Sequence, residues 1–307
     1  MSLSPAFDAF RDVYEKGAPQ IVIRRMVSDL ETPVSAYLKL AARRRNAFLL
    51  ESVEGGEQLG RYSIIGVRPD AIWRARGAKA EINWSAASDP AAFEPQEALP
   101  LESLKAFIDG SHIEMPADAP PMAAGVFGFF GYDMVREMER LPSLLNGRPP
   151  AAFDAPDAIF IRPTLVAVFD NIRQEIIFVA PARPEPGVSA RAAYAQAGER
   201  IADAVSDLAA PLALPHAPAT IYDPQGVAAA RSNTTQSEYF DMVARAKEHI
   251  AAGDIFQVVL SQRFEAPFGL APFELYRALR RTNPSPFLFF LDFDGLAIVG
   301  SSPEILV

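Results

Sequence analysis

AIFIRPTLVAVFD (Ala158–Asp170) is followed four residues later by EIIFVAPA (Glu175–Ala182), and the two apolar runs read as antiparallel strands joined through Asn171 to Gln174. After the pair, Pro186 and Gly187 break the chain, and an alanine-rich stretch from roughly Val188 to Ala209 carries apolar residues at helical spacing. Before it lie MAAGVFGFFGYDMVREMERLP and, from Asp89 to Pro121, a connection interrupted by prolines and acids with one helical segment, LESLKAFIDG. Residues 1–80 alternate strand and helix signals. QIVIRRMV, NAFLLESV and RYSIIGV read as strands, and PVSAYLKLAA as a short helix with Pro33 in its first turn.

The stretch LALPHAPATIYDPQG is the best candidate boundary, giving an N-terminal region 1–210, a linker 211–235 and a C-terminal region 236–307. Thr235 and Glu238 form a capping box before an amphipathic helix with Phe240, Val243, Lys247 and Ile250 along one side, and Gly253 ends it. IFQVVLSQRF then reads as a strand, PFELYRALRRT as a helix from Pro272 to the Asn283-Pro284 stop, and FLFFLDF with LAIVG as a hairpin around Asp294-Gly295. Strands and helices in mixed order with much antiparallel pairing define an α+β class.

Composition excludes several functions. The 307 residues are 50% hydrophobic and 22% charged, enough for one large domain or two ordinary ones. A net charge of -9 argues against nucleic-acid binding, which needs clustered Lys and Arg. Cysteine is absent, which removes disulfides and thiol chemistry and fits a reducing compartment. The N-terminus lacks the pattern of a secretory signal, and no apolar run reaches the ~20 residues that span a bilayer, so no membrane partner is expected and a cytoplasmic location is. His112, His216 and His249 lie far apart without metal-ligand spacing, and His249 suits the end of its helix. Gly125, Gly128 and Gly131 have aromatic neighbours instead of a strand–turn–helix context, so they read as close backbone packing and not a phosphate cradle.

GDIFQVVLSQRF (Gly253–Phe264) and VGSSPEILV (Val299–Val307) carry the chemistry. They place a buried amide, Gln257, and a carboxylate, Glu304, on successive apolar strands, the expected start of a pocket for a small polar acid, half made where the chain stops. Together with FLLESVEGGEQLGRYSIIG, GVFGFFGYDMVREMERLP and NPSPFLFFLDF, these motifs resemble in order component I of the anthranilate synthases, within the chorismate-utilising enzymes.

The resemblance implies two large antiparallel sheets enclosing helices in a β-α-α-β sandwich, here incomplete at the C-terminus. It implies amination of chorismate with ammonia from a glutamine amidotransferase subunit (component II) and elimination of pyruvate to give anthranilate, the first step of tryptophan synthesis. Mg2+ then neutralises the dianionic substrate, with its ligands in a missing C-terminal part, so this chain alone is expected to be inactive. Glu304, in the S-P-E motif, would be the acid that protonates the departing C4 hydroxyl; otherwise it caps a turn after Pro303. Gln257 stands where water-using relatives have a lysine base; an amide takes no proton at neutral pH, which favours ammonia. By the same resemblance L-tryptophan inhibits through Glu51, Ser52, Asn283, Pro286, Phe287 and Leu288: a carboxylate for the α-ammonium, a hydroxyl, and apolar surface for the indole. Phe287-Leu288 stands where the family often has Tyr-Met, which removes one hydrogen-bonding hydroxyl. Two alternatives remain open: component I of aminodeoxychorismate synthase, which shares Gln257, and a non-catalytic regulatory or subunit-binding module.

Overall fold

A computed structural model describes residues 2–41, 44–54, 58–141, 153–212 and 230–304. Most of the linker proposed at 211–235, His216 and the last three residues of GSSPEILV lie outside them. In chain order the elements are α1 (Phe7–Tyr14), β1 (Gln20–Val27), α2 (Pro33–Leu40), β2 (Ala47–Glu54), β3 (Gln58–Arg76), β4 (Lys79–Asn83), β5 (Glu94–Pro95) and α3 (Pro100–Ser111). There follow β6 (Phe127–Phe130), α4 (Val135–Met138), β7 (Ala158–Asp170), β8 (Glu175–Ala182), α5 (Ala190–Ala209), β9 (Arg231–Ser232) and α6 (Gln236–Ala252). The series closes with β10 (Phe264–Glu265), α7 (Pro272–Thr282), β11 (Phe287–Phe293) and β12 (Leu296–Ser302).

Two compact units result, Met1–Ala213 with Pro272–Val307, and Leu214–Ala271. The region expected at 236–307 therefore divides near residue 272. The reason is pairing: β11 lies antiparallel to β2, with Leu288 opposite Glu51 and Leu291 opposite Phe48, so the hairpin completes the N-terminal sheet.

That sheet has ten strands, with β1-β8-β7-β3-β2-β11-β12 as its main path, β4 and β5 extending from β3, and β6 pairing with β7. The strands pair antiparallel throughout. The other ladder among the described residues is the two-residue pairing of β9 with β10.

Both faces of the centre are covered, which is why β7 and β8 read as continuous apolar runs and not as polar–apolar alternation. On one face Leu165, Ala167, Phe169, Ile176 and Phe178 join a core with α1, α2, α5 and α7. On the other, Val166, Val168, Ile177 and Val179 pack with Phe48, Ile64 and Ile113. Each fully buried large side chain, such as Phe178, contributes about 1.5–3 kcal/mol relative to exposure.

The partner of α5 is this sheet. Ser189 caps the helix by accepting from the Ala192 N–H, and Ala193, Ala197, Ile201 and Ala204 form its buried stripe. Alanine lets the helix axis come close to β8. β3 outruns the seven residues expected for it, continuing through a register shift between Pro69 and Ala71. Gly128 sits in β6 opposite Phe160, and a Cβ there would fall 1.8 Å from the Ile159 carbonyl oxygen. The glycine is thus required by close backbone packing, as expected, although a strand carbonyl and not an aromatic ring does the crowding.

In the second unit, Thr235 accepts from the Glu238 N–H while the Glu238 carboxylate accepts from the Thr235 N–H, and Gly253 ends α6 at φ 82°. The strand expected at IFQVVLSQRF is corrected: only Phe264 and Glu265 are paired. The composition favours strand, but a strand exists only with a neighbour to bond, and among the described residues this stretch finds one only at its end.

Candidate functional site

The sites expected from sequence fall into two groups, one built by α7, β11 and β2 and the other marked by Gln257 and Glu304. In α7, Phe273, Tyr276 and Arg280 recur at helical spacing and form one stripe. Phe273 stacks on Tyr37 with ring centroids 4.5 Å apart and meets Phe290 edge-on at 5.1 Å. This aromatic contact seats the helix on the sheet and carries Tyr276 and Arg280 to the end of β2.

Glu51 receives them there. Its side chain is fully buried, and Arg280 grips it with two bonds, Nε to Oε2 at 2.8 Å and Nη2 to Oε1 at 3.0 Å. The Tyr276 hydroxyl also donates to Oε2. Burial lowers the affinity of the Arg280 guanidinium for its proton, but the hydrogen bond and charge of Glu51 outweigh that and leave its pKa raised. Burial, followed by the charge of Glu51, drives the Tyr276 phenol up, so it remains a donor. Glu51 is therefore the strand end of a strand-to-helix tether, and the cation expected from a ligand is supplied by Arg280.

Leu288, opposite Glu51, is buried on the same face. Phe287 is one residue earlier and so points to the other side, 41% exposed. Ser52 lies at a register shift in the β2–β3 pair, close against Gly60, where a Cβ would come 2.5 Å from both Cβ and Oγ of Ser52. The 283–286 turn is fastened to β12: Ser301 Oγ donates to the Asn283 carbonyl at 2.5 Å and Ser285 Oγ to the Ser302 carbonyl at 2.9 Å, with the two hydroxyl oxygens 2.9 Å apart. Asn283 and Pro286 themselves are exposed. The fold thus gathers all six residues at one end of β2–β11 but divides Leu288 and Glu51 from Phe287 across the sheet. Tyr276 is not expected at a site from the sequence, and Arg280, which with Arg281 reads as a solvated helix end, is corrected to the partner of a buried carboxylate; the stripe in α7 that ends in an arginine is the signal available.

Gln257 and Glu304 belong to different compact units. Gln257 is exposed in an unpaired stretch, so the buried strand amide expected there is corrected. Its neighbours Phe256 and Val259, 94% and 83% exposed, lack the packing that would bury it. Glu304 is exposed two residues beyond β12 and not on the strand, with its N–H donating to Ser302 Oγ at 3.1 Å. Among the described residues no three of His, Asp and Glu come together to hold a metal ion. No helix among them is long and apolar enough to cross a membrane.

A mixed sheet-and-helix unit closed by the β11–β12 hairpin and an S-P-E turn is the architecture of a chorismate-binding protein. Residues 45–307 match the family model described as chorismate binding enzyme, and the chain belongs to that family. It is 51% identical to anthranilate synthase component 1 of Cereibacter sphaeroides over 98% of this chain and 59% of the relative. Against the protein of the same name from Synechocystis sp. it is 36% identical, over 99% of this chain and 60% of the relative. The crystal structure of anthranilate synthase component I from Streptococcus pneumoniae TIGR4 superposes with a TM-score of 0.59 at 26% identity, covering 92% of this chain and 57% of that one. The chain spans about three fifths of the length of these curated relatives.

Proposed function

We propose that this chain belongs to an anthranilate synthase component I, a cytoplasmic lyase that aminates chorismate and eliminates pyruvate to give anthranilate. The observation that carries the reading is the 51% identity to the Cereibacter sphaeroides protein across 98% of the chain. Ammonia would come from a glutamine amidotransferase subunit, and tryptophan would act as feedback inhibitor. Glu304 is the proposed proton donor to the leaving C4 hydroxyl, its exposure suiting a group that meets a substrate from outside the described fold. Gln257 has no proton to accept or give at neutral pH, so its part is to orient the nucleophile through its amide.

The magnesium implied by the resemblance stays in the proposal with ligands outside this chain. The described residues do not fit such an ion, since no set of three acidic or histidine side chains converges among them.

For tryptophan, the structure shifts the weight within the proposed set. With both Glu51 oxygens occupied, ligand recognition rests on Ser52, Asn283, Pro286 and Phe287, while Glu51 and Leu288 hold the strand ends that carry them. The test is calorimetric titration with L-tryptophan, with phenylalanine and 4-aminobenzoate as controls, repeated on Ser52→Phe. Tryptophan-specific heat that Ser52→Phe abolishes supports the reading. A folded chain that binds 4-aminobenzoate in preference, or that binds tryptophan unchanged after the substitution, refutes it.

A further inference from the structure

Four arginines meet where α5 crosses β3, β7 and β8, away from the Glu51 tether. Arg68, Arg183 and Arg200 line a cavity of about 320 Å³ together with Asp70, Thr164 and Glu185, and Arg162 is near enough for its charge to act on Arg183. In a protein of net charge -9 this is a local excess of positive charge. Asp70 is committed to Arg162, whose Nε donates to Oδ1 at 2.7 Å. Arg68 pairs outward with Asp203 at 3.0 Å. Arg183 and Arg200 form no ion pair among the described residues. Arg183 donates from Nη2 to the Ser111 carbonyl at 3.0 Å, and Arg200 from Nη1 to the Pro181 carbonyl at 3.1 Å.

Arg183 Nε is buried and bonds nothing. A buried guanidinium donor left unmatched costs stability. The effect of the setting shows in acidity: burial first, then the neighbouring Arg162, pulls the Arg183 guanidinium down to about 10. Burial also lowers that of Arg200, against the opposing charges of Asp70 and Glu185 and with Arg68 adding to it. The backbone is bent to the same end. Arg68 has φ 56°, a left-handed conformation unfavourable for a non-glycine residue, held by Thr164 Oγ1 donating to its carbonyl at 2.6 Å.

We infer that this cavity is a binding site for a small multivalent oxyanion, a phosphate or a polycarboxylate, gripped between Arg183 and Arg200. Planar guanidinium forks match both groups with paired hydrogen bonds, and the volume accommodates a small organic anion. Glu185 and Asp70 lower the net positive charge of the lining, so the grip rests on the guanidinium hydrogen bonds of Arg183 and Arg200.

The test is titration of the protein with inorganic phosphate and, separately, with citrate, at constant ionic strength and with chloride as the matched control. Melting temperature is followed together with tryptophan fluorescence, to which Trp84, its ring 5.4 Å from the Arg162 guanidinium carbon, contributes beside the buried Trp73. At least one of the two anions stabilises saturably, and the one that saturates at the lower concentration identifies the phosphate or carboxylate source. Arg183→Met and Arg200→Met each weaken that response about tenfold or more, the loss expected for a charged hydrogen bond. Arg173→Met, at the exposed β7–β8 turn, leaves it intact. If Arg183→Met fails to fold, Arg200→Met carries the comparison. A folded wild type without a saturable response, or arginine variants that respond like wild type, overturns the inference.

Discussion

Replacing Arg280 by methionine removes the cation from a carboxylate that has no access to water. The Glu51 side chain is 0% exposed and keeps only the Tyr276 hydroxyl once its two bonds to Arg280, at 2.8 and 3.0 Å, are gone. Breaking a buried ion pair from one side costs about 3–5 kcal/mol, because the remaining charge stays desolvated. For a unit of this size that corresponds to a fall in melting temperature of about 6–20 °C. Urea unfolding gives the free energy, provided the slope matches wild type so that a shifted midpoint reports stability alone. The triple variant Glu51→Leu, Tyr276→Phe, Arg280→Met separates charge burial from packing. It removes every polar group of the cluster together and should recover to within about 1 kcal/mol of wild type, since apolar replacement of a whole buried pair is often neutral or favourable. Two results refute the reasoning: an Arg280→Met loss below about 1 kcal/mol, the size of an exposed pair, or a triple variant no more stable than the single.

Asp170 caps the β7–β8 turn by accepting from the N–H groups of Ile172 and Arg173, both at 3.1 Å, and pairs with Arg61 at 2.9 Å. Burial pushes its pKa up, but the Arg61 hydrogen bond and the two N–H groups outweigh that and leave it lowered. Its contribution is therefore present above the unfolded carboxylate pKa and lost as pH falls through the lower folded value. Asp170→Asn should cost about 1–3 kcal/mol at neutral pH, and acid titration of both proteins should show that difference shrinking below the ordinary carboxylate range. Gly128→Ala drives a methyl into the Ile159 carbonyl, 1.8 Å away, and should cost about 1–3 kcal/mol or detach β6, read as new proteolysis near Phe127–Phe130. Thr235→Ala removes one half of the capping box and should weaken α6 by about 1 kcal/mol, seen as faster hydrogen exchange at its first-turn amides while exchange in β7 is unchanged.

Local rules made much of the fold legible. The β7–β8 pair, the β11–β12 hairpin around Gly295, Pro33 in the first turn of α2 and the Thr235–Glu238 box all depend on residues within a few positions of one another. What sequence could not supply was register across distance. The 255–264 stretch has the composition of a strand, yet a ladder needs a second chain segment, and among the described residues only its last, Phe264, pairs with one. α7 and the hairpin after it were placed with α6 because they are adjacent in sequence. They pack instead on a sheet edge more than 200 residues upstream, through rows of hydrogen bonds that no local pattern encodes.

The same limit governs the site chemistry. The L-L-E-S motif points to a carboxylate that needs a cation: buried as Glu51 is, an unpaired charge there would not be tolerated. What a motif cannot specify is whose cation arrives. In a complex an α-ammonium would serve; in the folded chain Arg280, 229 positions away, already does. A ligand ammonium would have to displace a bidentate guanidinium and strand it, which is more costly than filling an empty site. Any effector bound at the end of β2 is therefore more cheaply read through the Ser52 and Phe287 side of the sheet. Its influence on α7 would pass through the tether it leaves intact, because Glu51 and Ser52 are consecutive on one strand and cannot move independently.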